Sequence, residues 1–92
     1  KEINGDYSLK NEDSGYYLYL NERANISIDD VRGFITFIVI GEEANLTSTK
    51  PMIGCGVRDV YSLNMKKEAV LSLYVDKDVI LIFSASENIF KN

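Results

Sequence analysis

Apolar and polar residues alternate with a period of two along most of this chain, and the 3.6-residue period of an amphipathic helix is almost absent. Alternation of this kind commits a chain to strands, because successive side chains of a strand point to opposite faces. The pattern predicts strands over residues 6–9, 16–20, 26–28, 34–40, 44–49, 57–63, 70–75 and 79–83. Turn-forming residues fill the gaps, so 6–9 and 16–20 read as a hairpin, and 70–75 with 79–83 read as a stronger one around Asp76-Lys77-Asp78. Residues 64–69 hold good helix formers and read as one helical turn. No internal repeat is apparent. The expected fold is one mainly antiparallel β domain over residues 1–92, a meander of seven or eight short strands forming a small barrel or two-layer sandwich. Its expected core is Leu9, Leu18, Leu20, Ile26, Ile28, Phe34, Ile38, Leu46, Leu71, Leu73, Val75, Leu81 and Phe83.

Composition excludes several functions. With 92 residues the chain builds a single core. It has no His and one Cys, which removes the usual general base, an internal disulfide and a Cys/His zinc site. Its net charge of -4 has the wrong sign for neutralising phosphates, so neither nucleic acid nor an anionic membrane is an expected partner. The longest apolar run, residues 34–40, falls short of the about 20 residues of a membrane helix. The start at Lys1 without Met fits a trimmed chain or a mature secreted protein, favouring a periplasmic or secreted site over the cytoplasm.

The first half carries a resemblance. Gly5-Asp6-Tyr7-Ser8-Leu9, Leu18-Tyr19-Leu20-Asn21, Ile26-Ser27-Ile28, Gly33-Phe34 and Asn45-Leu46-Thr47-Ser48 resemble the opening meander of small lipocalin-like barrel domains. Phe34 stands where such domains commonly carry tryptophan. The resemblance implies an up-and-down barrel with an apolar interior.

No motif compels chemistry. Cys55, between Gly54 and Gly56, has no His to generate its thiolate. Asn11, Asp13 and Glu22 fall at calcium-loop positions one, three and twelve, but Tyr16 occupies the required glycine position. Neighbouring acids at Asp29-Asp30 and Glu42-Glu43 point opposite ways on a strand and read as solvated turn charges. Asn25-Ile26-Ser27 and Asn45-Leu46-Thr47 match a glycosylation pattern that arises by chance in a chain this rich in Asn, Ser and Thr. No metal, cofactor or catalytic residue is expected.

Surfaces are more informative. Tyr17 and Tyr19 share one strand face, which fits either cross-strand cover or a partner site flanked by the acids Glu12, Asp13 and Glu22. Two strands are apolar on both faces. With Phe34, Ile38, Leu81 and Phe83 assigned to the core, Ile35, Phe37, Val39, Ile80 and Ile82 are left outside as an interface, most simply that of a homodimer. The expected function is a non-catalytic, acidic binding protein, such as an inhibitor or immunity protein that blocks a basic protein. The alternatives are a lipocalin-like carrier of an apolar ligand and a structural subunit of a homo-oligomer.

Overall fold

The computed structural model describes residues 1–91. Ten strands follow one another: β1 (Glu2–Ile3), β2 (Tyr7–Lys10), β3 (Tyr17–Leu20), β4 (Ala24–Asp30), β5 (Gly33–Val39), β6 (Glu43–Gly54), β7 (Val57–Lys66), β8 (Val70–Val75), β9 (Ile80–Ala85) and β10 (Ile89–Lys91). A 3-10 turn, Asn11–Asp13, separates β2 from β3. Among the described residues no helix is long and apolar enough to cross a membrane.

The mainly β, barrel-like expectation holds, but five of the nine strand pairings among the described residues are parallel, so the barrel is neither mainly antiparallel nor the up-and-down meander that the resemblance implies. β1, β3 and β5 lie side by side in parallel, and so do β2, β4 and β6. The chain thus winds three times between two sheets. Glu2 lies beside Tyr19 and Tyr19 beside Ile38 in the front sheet, while Tyr7 lies beside Ile26 and Ile26 beside Leu46 in the back sheet. The last four strands reverse. β7 is antiparallel to β6 and β8 to β5, then β9 pairs with β8 and β10 with β7. The front sheet therefore runs β1-β3-β5-β8-β9, and the back sheet β2-β4-β6-β7-β10.

The sheets are joined by β6, whose first half pairs with β4 and whose Met52 and Ile53 run parallel to β9. Followed through its hydrogen bonds, the path β1-β3-β5-β8-β9-β6-β4-β2 is a nearly closed eight-stranded mixed barrel, open between β1 and β2. Two glycines make the close approaches possible. A Cβ on Gly54, at φ +128°, would stand 2.0 Å from the carbonyl oxygen of Ile82 on β9, and one on Gly41 would stand 2.7 Å from the carbonyl oxygen of Asn21 in the turn below.

Several local expectations change. The predicted hairpin of residues 6–9 and 16–20 does not form, since β2 pairs with β4 while β3 lies between β1 and β5. The hairpin of 70–75 and 79–83 is present as β8 and β9. Residues 64–66 end β7, and the chain turns through Glu68 at φ 68° with no helical turn. The interior holds Leu9, Leu18, Leu20, Ile26, Ile28, Leu46, Leu71, Leu73 and Val75 as expected, together with Leu63, Met52 and Met65.

On β5 and β9 the expected faces are exchanged. Ile35, Phe37, Val39, Ile80 and Ile82, assigned to an outer interface, are all buried, whereas Phe34, Leu81 and Phe83 are exposed and Ile38 is half-buried. The polar residue in β5 decides the parity. Thr36 lies on the side of Phe34 and Ile38, where it shares a hydrogen bond of 2.9 Å with Ser72 of β8. Turning Thr36 inward would bury a hydroxyl among Leu and Ile side chains.

Candidate interaction face

The outer surface of the front sheet is built in three rows by strand register. The middle row is Tyr17, Thr36, Ser72 and Ser84. One side of it carries Tyr19, Ile38 and Val70. The other carries Phe34, Tyr74, Leu81 and Ile53. A bulge in β9 between its pairings with Ser72 and Leu73 inserts Phe83 beside this row. The Phe34 ring lies 4.8 Å from Tyr74 and 5.7 Å from Phe83, tilted and edge-on, which are favourable aromatic geometries. Tyr17 and Phe34 are each 59% exposed and Phe83 57%. From β3 to β9 none of the residues in these rows is of a charged type, and the exposed Glu2 of β1, in register with Tyr19, stands at their edge.

Tyr17 and Tyr19 do share the outer face, as their spacing predicts. The three acids expected beside them are dispersed. Glu12 lies exposed in the turn before β3, and Glu22 lies exposed in the turn after it. Asp13 is fully buried. Its carboxylate forms an ion pair with Lys1 Nζ and accepts hydrogen bonds from Tyr7 Oη at 2.9 Å and the Lys10 amide at 2.8 Å. Lys1 Nζ lies 6.0 Å from the Tyr7 ring and 5.9 Å from that of Tyr16. Burial pushes the Asp13 carboxyl upward, but the bonds from Lys1, Lys10 and Tyr7 outweigh it and hold it below the usual carboxylate range. Asp13 thus fastens the end of the barrel beside the open β1 and β2 edges.

The other acids are also engaged. Asp29 accepts from the Thr49 amide at 2.7 Å and from the Thr49 hydroxyl at 3.0 Å, with longer bonds from Ser27 and Ser48, and so holds β4 to the bend of β6. Burial raises its carboxyl, but these donors outweigh it and leave it below the ordinary value. Arg23 bridges Glu42 and Glu43, and Lys66 also bonds Glu43 at 3.0 Å. Of the calcium-loop positions, Asn11 accepts the Arg32 amide, Asp13 is consumed by Lys1, and Glu22 lies beyond β3. Cys55 lies exposed in the β6–β7 turn at φ 50°, with its thiol 3.7 Å from the Ile82 carbonyl.

The back sheet presents a polar surface. Asn25 stands beside Asn45 and Asn45 beside Asn64, whose amide donates to the Asn45 oxygen at 3.0 Å. Two open depressions of about 340 and 320 Å³ lie on this side and share Asp6 and Asn25. Asp6 is turned to structural use there, accepting the Asn25 amide at 2.8 Å. The missed feature of the sequence is the outward row Phe34, Leu81 and Phe83, and Thr36 was the residue that could have revealed it. Comparisons with protein-family models, with curated proteins and with solved structures return no match for this chain.

Proposed function

We propose that the protein is a non-catalytic binding module that takes a protein partner on the outer face of β3, β5, β8 and β9, around Tyr17 and Tyr19. The observation that carries this reading is the uncharged face itself, on which Tyr17, Phe34, Leu81 and Phe83 remain exposed together. A patch of this kind left in water forgoes about 25 cal/mol per Å², and monomeric proteins rarely keep one larger than a few hundred Å² without using it. Large, stiff aromatic side chains are also the residues that anchor interfaces. Glu12 and Glu22, exposed before and after β3, stand among the rim charges that border this face.

The non-catalytic part rests on chemistry. A chain without His has no side chain of ordinary pKa near neutrality to act as general base, and the enclosed acids Asp13 and Asp29 are committed to structural hydrogen bonds. The interior, filled by Phe37 and its Leu and Ile neighbours, gives no support to a carrier of an apolar ligand. The test is affinity capture with immobilised protein and with a Phe34→Asp/Phe83→Asp variant whose circular dichroism matches the parent. Proteins retained by the parent and lost by the variant are expected. An identical set on both would contradict the reading.

A further inference from the structure

We infer that the occupant of the front face is a second copy of this chain, packed sheet against sheet about a twofold axis. This rests on the reading of the front face as the working surface and names its partner. Three observations favour a copy over an unlike protein. The first is the row pattern. A hydroxyl row, Tyr17, Thr36, Ser72 and Ser84, runs between two apolar rows. A twofold axis lying in the plane of this face and running through its centre, along the hydroxyl row or perpendicular to it, lays that row on its own counterpart, so flanking rows meet flanking rows.

The second is charge. From β3 to β9 the face has no charged residue, Glu2 of β1 stands at its edge, and the turns along its borders hold both signs, with Glu22 and Arg23 in one, Lys67 and Glu68 in another, and Arg32 paired with Asp76 at a third. A mixed rim around a neutral centre matches itself, whereas a strongly basic partner would meet an uncharged surface. The third is area. The broad outline of the molecule measures 29 × 28 Å, an upper bound on the face that reaches the about 800 Å² each partner contributes to a stable interface. Two sheets stacked in this way sit about 10 Å apart, near enough for Phe34 and Phe83 to interdigitate with the opposite copy.

The test combines sedimentation equilibrium with cross-linking at the centre of the face. The parent protein is expected at twice 10.4 kDa at micromolar concentration, and Phe34→Asp at 10.4 kDa with an unchanged circular dichroism spectrum. In a Cys55→Ser background, Ser72→Cys is expected to join two copies through a short bismaleimide, while Cys55→Ser alone gives no such product. A parent that stays at 10.4 kDa overturns the second copy as occupant. So does a dimer that survives Phe34→Asp and leaves Ser72→Cys uncoupled, since it then forms elsewhere. If the parent is monomeric and Phe34→Asp/Phe83→Asp still loses captured proteins, only the choice of occupant falls. If capture is also unchanged, the reading of the face falls with it.

Discussion

Asp13 illustrates how a residue's type and its use diverge. Its neighbours in the sequence are polar, yet it is fully buried and receives Lys1, Tyr7 and the Lys10 amide. Removing the acceptor leaves those donors unsatisfied, so Asp13→Ala is expected to cost about 2 kcal/mol, read from denaturant unfolding. A folded-state carboxyl held below its unfolded value stabilises fully above that value. Its contribution disappears as pH falls through the lowered pKa. The parent should therefore lose melting temperature steeply below about pH 4, and Asp13→Ala should show a shallower fall over the same range. Gly54 makes a second residue-scale case. Its left-handed backbone and the 2.0 Å approach to Ile82 leave no room for a methyl group, so Gly54→Ala should destabilise by about 2 kcal/mol in the same assay.

At the scale of elements, periodicity identified strands well and partners poorly. β8 and β9 were legible because a short polar turn joins two apolar runs, which is the local signature of a hairpin. β2 and β3 looked similar, but the 3-10 turn Asn11–Asp13 carries the chain from one sheet to the other, so each pairs with a strand almost one coil away. A short likeness between β4 and β6, too brief to read as a repeat, marks this pairing. Ala24-Asn25-Ile26-Ser27 and Ala44-Asn45-Leu46-Thr47 lie in register on β4 and β6, and their Asn and hydroxyl positions read as chance glycosylation patterns when taken singly. In β5 both faces are apolar, so alternation alone gives no direction. The hydroxyl of Thr36 supplies one, and its partner Ser72 lies in the only polar position within β8. Thr36→Val should therefore keep the fold and lose only about 1 kcal/mol with the Ser72 bond, as measured by chemical denaturation.

The whole molecule has two unlike outer surfaces around one packed interior. The back surface carries the Asn row, with Phe90 at its β10 end, and the Glu43–Lys66 pair, whereas the front surface is aromatic and, from β3 to β9, uncharged. Fold class followed from alternation, whereas the candidate face did not, because it depends on which sides of β5 and β9 turn outward and on the bulge that presents Phe83. The tyrosines were found because β3 has a clear apolar side, with Leu18 and Leu20 buried opposite Tyr17 and Tyr19. The central claim is that β5 directs Phe37 into the core and offers Phe34 to a partner. The most direct measurement is thermal melting of Phe34→Asp beside Phe37→Asp by circular dichroism, at a concentration below that at which the parent associates in sedimentation. Phe34→Asp should melt within a few degrees of the parent, whereas Phe37→Asp, with a charge in the interior, should be unfolded at room temperature. A stable Phe37→Asp protein with an unfolded Phe34→Asp protein would contradict the account.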